Sequence, residues 1–136
     1  SGANIAIELS QRSRSTVSCV GGQISSSTLS LSGPQAEAFL ATVNIDTAVL
    51  AATGYSAGAG FTVGSYTENS LKRRVIQKAD KVILLIDRSK LGRTLPFTFA
   101  SLSDIDVVIC DAPLPEDFIQ AARAAGTEVL QVQPAK

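Results

Sequence analysis

The sequence predicts an α/β domain with a mostly parallel sheet flanked by helices, and three observations carry that prediction. Val82-Ile83-Leu84-Leu85-Ile86 and Val107 to Cys110 are short unbroken apolar runs, the pattern of parallel strands covered on both faces. Segments of strand character alternate with segments of helical period, as in a sheet with helical crossovers, which are right-handed by rule. Capping and glycine signals mark the boundaries between them. With 136 residues, 45% of them hydrophobic, and mean hydropathy of +0.22, the chain has material for one core, reads as a single domain over 1–136 and is not disordered.

Taken in order, Asn4 to Gln11 has Ile5 and Leu9 at i,i+4 and reads as a short helix. Thr16 to Val20 is β-branched and apolar enough for a strand ending at Gly21-Gly22. Ser32-Gly33-Pro34-Gln35 fits a capping pattern before a helix carrying Ala36, Phe39, Leu40 and Val43. Ile45 to Thr53 reads as a strand, followed by a glycine-rich loop from Gly54 to Gly60. Ser65-Tyr66-Thr67-Glu68 is a second capping box, opening a helix with Leu71, Val75 and Ala79 on its apolar stripe. The two apolar strands follow; Pro115 then starts a helix with Phe118, Ile119 and Ala122, Gly126 closes it, and Glu128 to Val132 is the last strand.

Composition narrows the function. Twelve basic residues against twelve acidic ones leave a net charge of +0, without the footprint of a nucleic-acid or anionic-membrane binder. The absence of histidine excludes Ser-His-Asp and Cys-His catalysis and histidine-containing zinc sites within these residues. No metal-ligand spacing emerges, and the reading implies no cofactor. Neither a signal peptide nor a membrane span is evident, which suggests a cytoplasmic protein. The lack of methionine suggests a processed chain or a fragment of a larger one. Cys19 and Cys110 both sit in strand-like runs and are expected to be small buried hydrophobes.

Ligands of open parallel sheets bind at the carboxyl ends of the strands, so the residues that follow each strand are the candidates. These are Gly21-Gly22, the loop from Gly54, the stretch Asp87-Arg88-Ser89-Lys90, and Asp111. Glycines admit an anion close to backbone N–H groups and a lysine adds a point charge, a combination suited to a phosphate or sugar phosphate. Plainer readings stand beside this. The glycines serve equally as turn residues, Glu68 as a capping residue or surface partner of Lys72, and Lys90 as a solvated loop charge. Asp104, Asp106, Asp111, Glu116 and Asp117 read mainly as caps and solvated charges. No GxGxxG fingerprint is present.

The succession "CVGGQI", "LSGPQAEAFL", "IDTAVLAATGYSAGAGFT", "TENSLKRRVIQKADKVILLIDRSKLGR" and "LSDIDVVICDAPLP" resembles the C-terminal sensor domain of DeoR-family bacterial transcriptional regulators, from about Asn4 to Val132. The resemblance implies a phosphorylated sugar or related metabolite as effector, a homo-oligomer (dimer or tetramer), and DNA contact through a winged helix-turn-helix that would lie upstream. It also implies the fold of ribose phosphate isomerase and glucosamine phosphate deaminase. "KADKVILLIDRSK" is similar to the isomerase stretch ending in Asp-x-Ser-Lys, which makes Asp87, Ser89 and Lys90 ligand-facing positions. The isomerase base, a glutamate about eighteen residues before that lysine, is matched here by Lys72, so the resemblance implies binding without turnover. Family sensor domains begin with a strand and an Asp-x-Gly-[Ser/Thr]-Thr loop of the phosphate site, and this chain starts after that region.

The expected effector site therefore comprises Gly54, Tyr55, Gly58, Gly60 and Phe61 closing over the ligand, Lys72 and Lys90 neutralising its charge, Glu68 and Asp87 accepting hydroxyls, and Ser89. The alternatives are an active isomerase or deaminase of the same fold, and an assembly module with Leu95 to Phe99 as its interface.

Overall fold

The computed structural model describes residues 2–132. The chain packs as two compact units, Ser1–Asn44 and Ile45–Lys136.

In the first unit, α1 (Ala3–Arg12) forms where the i,i+4 spacing places it, but it buries none of its residues. Thr16 to Val20 does not become a strand. A strand is stable only against a partner ladder, and among the described residues nothing pairs with this segment, so Cys19 is exposed rather than buried. The β-structure begins later, as a hairpin of β1 (Gln23–Ile24) and β2 (Leu31–Ser32). Ser32 thus belongs to a strand, and Gly33 takes the N-cap position of α2 (Pro34–Ala41) with Pro34 opening the helix. Ala36 and Leu40 are its buried residues; Val43 lies beyond it.

The second unit holds the parallel sheet, in the order β3 (Ile45–Ala51), β6 (Ala79–Ile86), β8 (Val107–Cys110), β9 (Glu128–Gln131). Ala79, placed by the periodicity on the helical stripe, is instead the first residue of β6, because α3 (Tyr66–Lys78) ends one residue earlier. On one face Val82, Leu84, Ile86 and Val108 join the hydrophobic core. The other face keeps Leu85 at 43% and, on β3, Val49 at 59% exposure, so the Val82–Ile86 run is not covered on both faces as expected, whereas Val107 to Cys110 is buried apart from half-buried Ile109. The period-2 alternation of a strand divides even an unbroken apolar run between two faces, and the core of this unit lies on one of them.

The glycine-rich segment is not a loop. It forms a hairpin of β4 (Gly54–Ser56) and β5 (Gly60–Val63), and β7 (Phe97–Ala100) pairs with β5 to complete a three-stranded antiparallel sheet. The "LPFTF" stretch is therefore largely a strand, with Phe99 in the core. Phe61, Tyr55, Phe99 and Phe118 of α4 (Glu116–Ala125) pack against the buried face of the parallel sheet. The Tyr55 ring lies 4.8 Å from both Phe61 and Phe118, in tilted and edge-on arrangements.

Candidate functional site

Parallel pairing brings the strand ends level. Ala51 stands opposite Leu85, Leu85 opposite Ile109, and Ile86 opposite Cys110. The residues that follow, Ala52, Asp87 and Asp111, border an open cleft of about 440 Å³ that Lys90 and Val132 also line. This is where an open parallel sheet offers a ligand site.

Asp87 organises the turn at its centre. As the cap of a 3₁₀ turn over Arg88–Lys90, its Oδ1 accepts the Ser89 N–H at 2.8 Å and also the Ser89 hydroxyl, the local bonding that Asp-x-Ser favours. Lys90 Nζ lies 3.6 Å from Oδ2. The Ser89 hydroxyl bond, with the Ser89 N–H and Lys90 adding to it against a desolvation penalty, holds the Asp87 carboxyl below its usual range. Asp87, Ser89 and Lys90 are thus brought together in one turn, in which Asp87 and Lys90 line the cleft and Ser89 does not. Asp111, read from sequence among caps and solvated charges, accepts the Arg88 N–H at 3.2 Å from across the sheet. Asp104 does act as a local cap, completing a capping box with Ser101, whereas Asp106 accepts the Val82 N–H at 2.7 Å from across the sheet. The signal for Asp111 was its position immediately after a buried strand. The neighbouring Cys110 is buried as expected, and that burial pushes its thiol pKa up.

Glu68 and Lys72 form a second cluster on α3. Their ion pair is 3.0 Å long, with the side chains only 15% and 12% exposed, so it is not a solvated surface pair. Lys72 Nζ also donates to the Ala51 carbonyl at the end of β3 and lies 5.0 Å from the centre of the Phe99 ring. Glu68 does not act as a capping residue: the N-terminus of α3 has no side-chain cap, and Ser65 Oγ meets Thr67 Oγ1 instead.

The hairpin residues are placed differently. None of Gly54, Tyr55, Gly58, Gly60 and Phe61 lines the cleft. Phe61 is completely buried and Tyr55 nearly so, as core residues; burial raises the Tyr55 pKa. Gly60 has φ +75°, and a Cβ there would come within 2.5 Å of the Ala100 carbonyl oxygen, while one at Gly54 would come within 2.6 Å of the Arg93 carbonyl oxygen. These glycines let strands approach closely and do not form a lid. Gly58 faces open space at the turn. A bridge from Tyr55 to Leu91 ties the hairpin to the chain just after Lys90.

Among the described residues no group of three or more His, Cys, Asp or Glu is arranged to hold a metal ion. No described helix is long and apolar enough to cross a membrane.

Comparison with known proteins gives consistent relationships. The chain is 36% identical over 126 residues to the HTH-type transcriptional regulator GlpR of Haloferax volcanii, covering 93% of this chain and 49% of that protein. It is 31% identical over 127 residues to the HTH-type transcriptional repressor GlcR of Bacillus subtilis, covering 93% and 49%. It is 27% identical over 117 residues to the glycerol-3-phosphate regulon repressor of Escherichia coli K12, covering 86% and 46%. These relatives are named as regulators, not enzymes, and the chain spans about half the length of the curated relatives it matches. The family model for the DeoR C-terminal sensor domain matches residues 1–112, most of the chain, and its α/β architecture with a four-stranded parallel sheet fits that assignment. The chain belongs to the DeoR C-terminal sensor domain family.

Proposed function

We propose that this domain senses a phosphorylated sugar or a related phosphorylated metabolite, bound without turnover at the carboxyl ends of β3, β6 and β8. The observation that carries the reading is the strand-end cleft bordered by the Asp87–Ser89–Lys90 turn. Lys90, 31% exposed and held only loosely by Asp87, supplies the charge for a phosphate or carboxylate. Asp87 accepts ligand hydroxyls, and Ser89 fixes its orientation. Lys72, committed to Glu68 and Ala51, holds the end of β3 at the edge of the cleft, and Glu68 supports it there. Gly54, Tyr55, Gly58, Gly60 and Phe61 form the scaffold beside the site. The name of the glycerol-3-phosphate regulon repressor supports a small phosphorylated polyol as the ligand class.

The engagement of Glu68 by Lys72 supports binding without chemistry. A carbon-bound proton must be taken by a carboxylate free to receive it, and Glu68 Oε1 is occupied by the Lys72 ammonium. In the intact protein, a homo-oligomer acting in the cytoplasm, DNA contact belongs to a winged helix-turn-helix outside these residues. The output is a population shift, in which effector binds one arrangement of the oligomer better than another.

A thermal-shift screen of phosphorylated sugars on the intact protein tests the reading. An effector at 100 times its Kd stabilises by about 2.7 kcal/mol. Stabilisation by at least one member, lost in Lys90→Ala together with effector-dependent release of DNA, is the expected result. No stabilisation across the screen, or release unchanged in Lys90→Ala, would refute it.

A further inference from the structure

The backbone of the turn at Asp87 has no donor left for an anion. The Arg88 N–H is taken by Asp111 Oδ1, the Ser89 N–H by Asp87 Oδ1, and the Lys90 N–H by the Asp87 carbonyl at 3.1 Å. Successive N–H groups in a turn of this kind would otherwise make an anion-binding concavity. Here two carboxylates of the same chain fill it, and a phosphate brought against the backbone would meet their negative charge. Besides Asp87 Oδ2, assigned above to ligand hydroxyls, two polar groups are available in the cleft. One is the Lys90 ammonium. The other is Asp111 Oδ2, which has no hydrogen-bond partner among the described residues, while Oδ1 holds Arg88 and lies 3.7 Å from Cys110 Sγ.

Resting on the sensing function proposed above, we propose that Asp111 is a specificity-determining residue: one oxygen holds the turn and the other accepts a ligand hydroxyl. The neutral, hydroxyl-bearing part of the ligand then lies against residues 88–90, and its phosphate meets the Lys90 side chain rather than the backbone. The cleft reads the hydroxyl pattern of the sugar with Asp111, and its charge with Lys90.

The test compares the intact wild-type protein with Asp111→Asn, Asp111→Ala and Lys90→Ala. The probes are phosphorylated hexoses and pentoses, their single-deoxy analogues, the same sugars without phosphate, and inorganic phosphate. Titration calorimetry reads affinity, and amide chemical shifts read residues 88–90. Asparagine at 111 retains an acceptor for the Arg88 N–H, and an unchanged amide spectrum elsewhere shows that the fold persists. Asp111→Asn is expected to weaken the preferred phosphorylated sugar about tenfold to a hundredfold, the range for losing a hydrogen bond to a charged group. Its preference over one deoxy analogue should fall towards unity, while Lys90→Ala weakens all phosphorylated probes alike. Inorganic phosphate should shift the Arg88 amide more strongly in Asp111→Ala than in wild type. The proposal is overturned if Asp111→Asn retains both affinity and discrimination, or if inorganic phosphate shifts the Arg88 amide as strongly in wild type as in Asp111→Ala. Asp111-dependent binding of unphosphorylated sugars, with no preference for phosphorylated ones, would instead refute the phosphate-sensing function and leave the role of Asp111 standing. Absence of binding by every probe would refute both.

Discussion

Replacing Glu68 with Gln is the most direct probe of the Lys72 cluster. At 3.0 Å and an effective dielectric constant of about 20, the Glu68–Lys72 attraction is about 5 kcal/mol before desolvation is subtracted. Breaking a fully buried pair costs about 3–5 kcal/mol because an uncompensated charge remains. Here Lys72 keeps the Ala51 carbonyl and the face of Phe99, and both members of the pair retain a little solvent contact, so the expected loss is about 2–3 kcal/mol. Urea unfolding of wild type, Glu68→Gln, Lys72→Met and the double variant forms a double-mutant cycle. Glu68→Gln should be markedly destabilising, Lys72→Met should relieve much of that cost, and the coupling should reach about 1.5 kcal/mol or more. A loss below about 0.5 kcal/mol for Glu68→Gln, with coupling near zero, would be the behaviour of an exposed pair and would refute the pinned, poorly solvated lysine.

Three further outcomes can be checked separately. Gly60→Ala should destabilise by about 1–3 kcal/mol, since it combines an unfavourable positive φ with a clash at the Ala100 carbonyl, whereas Gly58→Ala should stay within about 0.5 kcal/mol in the same thermal or urea unfolding measurement. In a carbon-detected NMR titration, the Asp87 carboxyl should titrate below its usual 3.8 and move up towards it in Ser89→Ala. Because the native state lowers that pKa, the stability Asp87 contributes is present above 3.8 and lost as pH falls through the native value, and Ser89→Ala should narrow that window. A thiol reagent should modify Cys19 rapidly in the native protein, and Cys110, buried with a raised pKa, only on unfolding.

Much of the architecture was legible because it rests on local pattern. The apolar runs ending at Ile86 and Cys110 became neighbouring parallel strands, and Asp87, Ser89 and Lys90 came together because an Asp-x-Ser turn is built from bonds two and three residues apart. Gly126 ended α4 as its position after the apolar stripe implied.

The larger misreadings involve partners distant in sequence. Thr16 to Val20 has the composition of a strand but no ladder to join, while Gly54 to Gly60 has the composition of a loop and is bounded by strands because β5 meets β7 from more than thirty residues away. The same sheet buries Phe61 and Tyr55, which the loop reading had turned towards a ligand. Glu68 and Lys72 were identifiable as an i,i+4 pair, but their shielding from water and the bond to Ala51 depend on how α3 packs over β3 and Phe99. Asp111 was visible as a residue after a strand, yet its hold on Arg88 spans two strands of the sheet. Spacing along the chain specifies which groups share a turn or a helix face. Burial and long-range pairing specify which of them still face water, and a ligand can use only those.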